Sequence, residues 1–215
     1  MTSPLHTTLS RRAALRGFGV VGLTAAAGLF AASQAHASSD LVVVDQMGTG
    51  PWDAENCGPT SAVIAMVAAG RPVEHYVSGS KGAAEGGNAR AVLEMRARCG
   101  LSPWDDPETK NVDYVGAYLG DLEKGIRDAD ATATRSQYKE GMAAAANGSV
   151  VILHVHHGRL LGEDADYGHF VVAQGEDEEG NLLVSDPGRA QTIGITSYSR
   201  DRLLEAQQGD ATIVS

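Results

Sequence analysis

The chain has 215 residues, 27 of them acidic and 17 basic, which gives a formal net charge of −10 at neutral pH. The acidic balance argues against nucleic acid or an anionic membrane surface as a partner, because both attract basic proteins. The length suits a single domain with its own hydrophobic core, so a fold held together by disulfides is not required.

The first 37 residues have the pattern of an export signal. Arg11 and Arg12 precede an uncharged run rich in Gly and Ala at 17–32, and the segment ends in the small-x-small signal Ala35-His36-Ala37. The apolar run is short and weakly hydrophobic for a membrane anchor, which is the alternative interpretation. We therefore expect a twin-arginine signal peptide at 1–37, followed by an exported domain at 38–215 without stable membrane insertion. The destination is the periplasm, the cell surface or the exterior of a bacterium.

Before residue 148 the sequence is dominated by helical patterns. Residues 41–44 form a short run of β type, and a loop rich in Gly and Pro follows at 48–51. The stretch after the first cysteine is small and apolar on every side and ends at Gly70, which indicates a buried helix. Apolar positions three or four residues apart indicate additional helices. The helices predicted in this half cover residues 59–69, 88–99, 112–124 and 137–146.

After Gly148 the pattern changes to strands. Short apolar runs bounded by turn residues predict strands at 149–155, 168–174 and 181–185, and a last helix opens at Ser199. Helices that come first and strands that come later favour an α+β domain with an antiparallel sheet. An alternating, doubly wound fold is disfavoured by the same order.

Cys57 stands directly before Gly58-Pro59, at the predicted start of the buried helix. Free backbone N–H groups and the helix dipole favour a negative charge there, so a thiol at this position is favoured as the thiolate nucleophile. Cys99 instead lies on the apolar face of the next predicted helix. Because an exported protein meets oxidising conditions, a Cys57–Cys99 disulfide is the structural alternative.

A nucleophilic thiol needs a base, and His169 is the best placed histidine. It begins the strand "GHFVVAQ" after a glycine that leaves room for an approaching group. A symmetric hairpin about the polar turn at 175–180 places Asp186 directly opposite His169, within reach of a hydrogen bond. Taken singly, His169 also suits a packed strand, and Asp186 suits a turn in Asp-Pro-Gly.

The segments "NCGPTSAVIAM" and "GHFVVAQGEDEEGNLLVSDP" together resemble the papain-like cysteine peptidases related to the double-glycine leader peptidases of bacteriocin exporters. The resemblance spans roughly residues 45–205. It implies Cys57 as nucleophile, His169 as general base and acid, and Asp186 as the group that orients the imidazole. It also implies that the Gln46 amide and the Cys57 backbone N–H stabilise an oxyanion.

This resemblance predicts an exported thiol hydrolase that cleaves a peptide or amide bond through a Cys57 thioester, with a peptide or protein substrate and no cofactor. An acyltransferase or deamidase with the same triad is an alternative, and so is a non-catalytic binding domain with the Cys57–Cys99 disulfide. The exporter members also carry membrane and nucleotide-binding domains. This sequence shows no second apolar span and no phosphate-binding loop, so a role in bacteriocin processing is not implied.

Two weaker patterns have a less specific interpretation. His154, His156 and His157 in "HVHH" could contribute to a metal site, even one that includes Cys57, but no carboxylate stands at a convincing ligand spacing. We therefore expect no metal. The acidic run at 176–179 is typical of a solvated turn, and selection of basic substrates is its functional alternative.

Overall fold

The computed structural model describes residues 41–79, 88–102, 116–190 and 192–215. The predicted signal peptide and residues 112–115 of the third predicted helix lie outside these ranges. The helices described are α1 (Cys57–Ala68), α2 (Asn88–Arg98), α3 (Leu119–Arg127), α4 (Tyr138–Ala146), α5 (His157–Leu161) and α6 (Arg200–Glu205). The strands are β1 (Ala133–Ser136), β2 (Val150–His156), β3 (Gly168–Glu176), β4 (Leu182–Ser185), β5 (Ile195–Tyr198) and β6 (Gln207–Val214). Two short 3-10 helices cover Asp53–Glu55 and Pro187–Arg189.

The strands form one antiparallel sheet in the order β1-β6-β2-β3-β4-β5. The inner strand β2 is buried on both faces, because its side chains alternate between two apolar clusters. Val150 and Ile152 pack with the cluster that includes α1, α2 and α3, whereas Val151 and Leu153 pack with the one that includes α4 and α6. The predicted α+β class with an antiparallel sheet is therefore confirmed.

Helix α1 has apolar residues on every side, and other elements of the domain enclose it. It packs against β3, α2 and α3, and nearly all of its residues are buried. Gly58 permits the close approach at its first turn: a Cβ there would lie 2.8 Å from Ala117 Cβ and 3.0 Å from Leu122 Cδ2. The start of α1, and with it Cys57, is thereby held tightly against the α3 side of the domain.

Two predicted elements differ from the structure. Residues 41–44 are not a strand, because the backbone N–H and C=O of Val42 pair with the side-chain amide of Gln174, at 2.8 and 2.7 Å, instead of with another strand. Helix α3 begins only at Leu119. Its preceding residue, Tyr118, is extended, with φ −91° and ψ 159°, and donates its N–H to the Asp121 carboxylate at 2.8 Å.

Four elements, β1, β5, β6 and the short helix α5, were not predicted from the sequence. Strands β1 and β5 have only four residues each, and β6 begins with the polar stretch Gln207-Gln208-Gly209-Asp210. Strand β6 nevertheless pairs with both β1 and β2. Its place between them comes from long-range pairing that local patterns do not reveal.

The hairpin of β3 and β4 has a different register from the predicted one. Val172 pairs with Ser185, two residues away from the symmetric pairing, and an irregularity lies between Ala173 and Glu176. The predicted direct opposition of His169 and Asp186 is therefore wrong, and the two residues are diagonal neighbours. Since side chains alternate with a period of two, a shift by two residues leaves both on the same face.

Candidate active site

Cys57 is the first residue of α1 and lines a cleft of about 1110 Å³. The preceding residue, Asn56, is the N-cap, but its side chain makes no capping hydrogen bond to the helix. The backbone N–H groups of the first helical turn have no carbonyl partner within a helix. Because the N-cap side chain does not use them either, they favour a negative charge at the cysteine.

His169 and Asp186 form a buried hydrogen-bonded pair beside Cys57. His169 is 4% exposed and Asp186 3%, and His169 Nε2 lies 2.7 Å from Asp186 Oδ1. An ionised carboxylate only accepts, so Nε2–H is the donor. Asp186 Oδ1 also accepts the Gly188 N–H at 2.9 Å. The Cys57 thiol also acts on the His169 ring and raises its pKa. Because Nε2 is engaged by Asp186, Nδ1 is the ring nitrogen left for the thiol.

The charges of this group depend on one another. Burial of the His169 ring by itself lowers its pKa, but hydrogen bonds to Asp186 and Cys57 and the negative charges of these groups outweigh burial and raise the pKa of His169 to about 10. Burial of Asp186 acts to raise its pKa, yet the hydrogen bond and charge of His169 hold it below the usual value. The arrangement favours a protonated imidazole beside the Asp186 carboxylate.

Gln46 reaches the cleft, but its amide is engaged. The side chain is 5% exposed, and Nε2 donates to the backbone carbonyls of Asp53 and Ala54 at 3.1 and 3.0 Å. The Oε1 atom is buried without a hydrogen-bond partner. These two carbonyls set the orientation of the amide, because a flipped amide would place Oε1 against them. If Nε2–H donates to an oxyanion, it therefore has to share that hydrogen between the oxyanion and a carbonyl of this loop.

The three histidines of "HVHH" do not converge. The His154 ring stacks on Phe170 in the cleft, with a centroid distance of 4.7 Å, and His156 Nε2 lies 3.0 Å from the exposed Asp166 carboxylate. His157 lies beside the His169 and Asp186 pair: its ring stacks on Tyr167 at 4.7 Å and meets the His169 ring edge-on at 4.9 Å. Local sequence patterns did not indicate this contact.

Two groups among the described residues could supply metal ligands. His157, His169 and Asp186 are buried and have ligand atoms within 4.8 Å of one another, whereas Glu74, His75 and Glu94 form a more exposed group. In the buried group, His169 Nε2 and Asp186 Oδ1 already share a hydrogen. A metal ion bound there would have to displace that proton.

Both cysteines are free thiols in this structure, so the disulfide of the binding-domain alternative is not formed. Cys99 is buried near α3, where a Cβ added at Gly125 would lie 2.6 Å from its sulfur. Burial raises the pKa of the Cys99 thiol to about 12. The two thiols therefore differ in access, because Cys57 lines the cleft and Cys99 is buried.

We expect iodoacetamide at mildly acidic pH to alkylate Cys57 well before Cys99, because thiolate fraction and solvent access both favour Cys57. Peptide mass spectrometry of the native protein at timed quenches measures the two rates separately. Recovery of a peptide with a Cys57–Cys99 disulfide, or faster labelling of Cys99, would contradict this assignment.

Comparison with known proteins shows similarity at the level of structure. No protein-family model matches the chain, and no curated protein matches it either. The peptidase domain of Streptococcus ComA, a bifunctional ABC transporter in a quorum-sensing pathway, has 15% sequence identity and a TM-score of 0.51, with 82% of this chain and 98% of that chain covered. A C39-like peptidase from Bacillus anthracis has 14% identity and a TM-score of 0.51, with coverages of 83% and 96%.

A double-glycine motif protease from a transporter, solved with its leader peptide, has 16% identity and a TM-score of 0.49, with coverages of 85% and 94%. Identities this low establish a likeness of fold. The chain therefore has the α+β, papain-like fold of C39 peptidase domains, as the sequence resemblance predicted.

Proposed function

We propose that this protein is a cysteine peptidase that cleaves a peptide or other amide bond through a Cys57 thioester. The observation that carries the proposal is the order of contacts in the cleft. The Cys57 thiol acts on the His169 ring, and His169 is hydrogen-bonded in turn to Asp186. A nucleophile, a base and an orienting carboxylate in this order are what acyl transfer requires.

In the first half of the reaction, the Cys57 sulfur attacks the carbonyl carbon and a C–S bond forms. His169 gives its proton from Nδ1 to the leaving amine as the C–N bond breaks, which leaves an acyl thioester on Cys57. In the second half, neutral His169 takes a proton from water while the water oxygen attacks the thioester. The C–S bond breaks, and the acid and the Cys57 thiolate are released beside a protonated His169.

The tetrahedral intermediate of each half carries a negative oxygen. We propose that the backbone N–H of Cys57 at the start of α1 donates to this oxygen, together with the Gln46 amide. Gln46 Nε2 has two hydrogens and donates to the carbonyls of Asp53 and Ala54, so one of these hydrogen bonds has to be released or shared when the amide donates to the oxyanion.

The residues that line the cleft favour a peptide as the substrate. Its rim carries the exposed apolar side chains of Met47, Tyr118 and Tyr167, next to the charged residues Glu55 and Arg189. Walls that carry both apolar and charged residues can bind the side chains and the backbone of an extended peptide. We propose a peptide or protein substrate on this basis.

A denatured peptide library tests the function and separates its alternatives. The wild type is expected to create new peptide N-termini, and Cys57→Ala is expected to create none, as read by mass spectrometry. A deamidase would instead add about 1 Da to Gln or Asn side chains, the mass difference between an amide and an acid. A transferase would join an added amine to the acyl group. The absence of all three products would favour a binding domain.

We also propose that residues 1–37 direct export through the twin-arginine pair and are removed before Ser38. Changing Arg11 and Arg12 to Lys is expected to block translocation. Intact-mass measurement of the exported wild type is expected to find Ser38 at the N-terminus, and an exported protein that retains residues 1–37 would contradict the proposal. Among the described residues, no helix is both long and apolar enough to cross a membrane.

Asp186→Asn is expected to shift the pH dependence of kcat/KM. The asparagine can still accept a hydrogen bond from His169, but the negative charge that helps raise the pKa of His169 is lost. Activity that needs the imidazolium falls as pH rises through this pKa, so the descending limb near pH 10 moves to lower pH in the variant. A pH profile from 5 to 11, with circular dichroism to verify folding, measures the shift. An unmoved limb would exclude this role for Asp186.

The same pKa makes a prediction for stability. A histidine whose pKa is raised in the folded state contributes stability that is fully present below the unfolded value and is lost as pH rises through the folded value. We therefore expect the free energy of unfolding of the wild type to decline towards pH 10, and to decline less in Asp186→Asn. Urea unfolding at several pH values measures both curves.

A further inference from the structure

A buried polar network lies next to the start of α1. Its largest member is Arg96 of α2, which is 2% exposed, and its guanidinium carbon lies 4.8 Å from the centroid of the Trp52 ring. Arg96 Nε donates to the Ser102 carbonyl at 2.8 Å. Burial of an arginine is expensive unless its donors are used, so its contacts indicate what holds it there.

Arg96 is connected to both predicted oxyanion donors through buried side chains. Its Nη1 donates to Asn56 Oδ1 at 3.0 Å, and Asn56 Nδ2 donates to Thr49 Oγ1 at 2.7 Å. The Thr49 hydroxyl in turn donates to the backbone carbonyl of Gln46. Asn56 and Thr49 are completely buried. One chain of hydrogen bonds thus extends from Arg96 to the residue before Cys57 and to the backbone of Gln46.

Asn56 is used in an unusual way. Asparagine is among the best N-cap residues, and a capping side chain normally accepts a hydrogen bond from the first helical turn, worth about 1 kcal/mol. Here the Asn56 oxygen accepts from Arg96 instead and makes no capping bond to α1. The N–H groups at the start of α1 are therefore left to the Cys57 sulfur and to a substrate oxygen.

Arg96 also places a positive charge under the site. Burial lowers the pKa of Arg96, whereas the nearby Cys99, Glu55 and Cys57 act to raise it. The other charged or titratable groups that act on or line the Cys57 side of the cleft are His169, Asp186, Tyr167, Glu55 and Arg189. In a buried setting, a nearby positive charge favours the thiolate over the thiol.

From these contacts we infer that Arg96 is a positioning residue of the Cys57 site. Through Asn56 it keeps the N–H groups at the start of α1 uncapped, and through Thr49 it holds the backbone of Gln46 beside them. The inference rests on the proposed function for its effect on turnover. Its effect on the reactivity of Cys57 does not require any turnover.

The first experiment compares Arg96→Met and Arg96→Lys with the wild type in the full chain, at pH 6. Loss of the charge and of the contact to Asn56 is expected to slow alkylation of Cys57 by iodoacetamide on the order of tenfold, the effect of about one pKa unit. Arg96→Lys keeps the charge without the planar fork and is expected to recover part of this rate. Circular dichroism and thermal unfolding show whether each variant is folded.

The second experiment uses Thr49→Val, which has nearly the same shape and in which Arg96 Nη1 can still donate to Asn56 Oδ1. It removes both hydrogen bonds of the Thr49 hydroxyl, the one accepted from Asn56 Nδ2 and the one donated to the Gln46 carbonyl. We expect kcat to fall on the order of tenfold while KM and the alkylation rate of Cys57 stay unchanged. If Thr49 had a purely structural role, the variant would have a lower thermal stability, but kcat would not fall while the alkylation rate stayed unchanged. If Arg96→Met does not fold, the Thr49→Val variant still tests the inference.

The outcomes separate the inference from the proposed function. Folded Arg96 variants that alkylate at the wild-type rate overturn the inference, and so does Thr49→Val with wild-type kcat. Slow alkylation in Arg96→Met, with partial recovery in Arg96→Lys, supports it even if the wild type cleaves no peptide in the library. In that case the proposed function fails and the role of Arg96 at the thiolate stands.

Discussion

His169→Ala is expected to lower kcat on the order of 10³-fold or more, because attack by the thiolate and protonation of the leaving amine are lost together. In the folded protein His169 lies buried against Asp186 in the cleft that Cys57 lines, and it is the group that the proposed mechanism uses to transfer the proton. Cys57→Ala is expected to be as severe. Peptide cleavage under saturating substrate, with circular dichroism of each variant, measures the losses.

The double variant Cys57→Ala/His169→Ala is expected to be hardly worse than either single variant, since members of one catalytic unit do not contribute independently. His156→Gln is the matched control, because the His156 ring contacts Asp166 outside the cleft. It is expected to retain activity. Losses at Cys57 and His169 that multiply, or full activity in His169→Ala, would show that the two residues do not act together.

Gly158→Ala is expected to destabilise the fold by about 3 kcal/mol or more, at the upper end of what overpacking costs. A Cβ at Gly158 in α5 would lie 2.1 Å from the Ala165 carbonyl oxygen and 2.6 Å from that of Glu163. These are backbone atoms, so the loop at 163–165 has to move. Because Glu163 lines the cleft, KM is expected to rise as well.

Gly120→Ala is the matched control for this prediction. Gly120 is also helical, and a Cβ there would meet only Arg135 Nη2, at 3.7 Å. Alanine favours a helix over glycine by up to about 1 kcal/mol, so this variant is expected to be neutral or more stable. Urea unfolding of both variants with a common m-value gives the difference. Equal midpoints for Gly158→Ala and the wild type would contradict the predicted clash.

Local patterns were sufficient for the fold class and for naming the candidate residues. The small apolar run after Cys57 predicted a buried helix because it has no polar face, and the helix begins at Cys57 itself. The segregation of helices from strands predicted the α+β class. The motifs around Cys57, His169 and Asp186 singled out three residues that the fold brings together, with His169 hydrogen-bonded to Asp186 and Cys57 lining the same cleft as His169. Their catalytic roles remain predictions.

Only the tertiary structure decided how these residues are held. The register of the β3–β4 hairpin differs by two residues from the symmetric one, and the alternation of side chains still keeps His169 and Asp186 on one face. Arg96 is buried beneath Asn56, which lies 40 residues earlier in the chain. The Gln46 amide is held by backbone carbonyls of the loop that follows it. Periodicity and turn patterns report local preferences of the chain, whereas such contacts arise only when distant segments pack together.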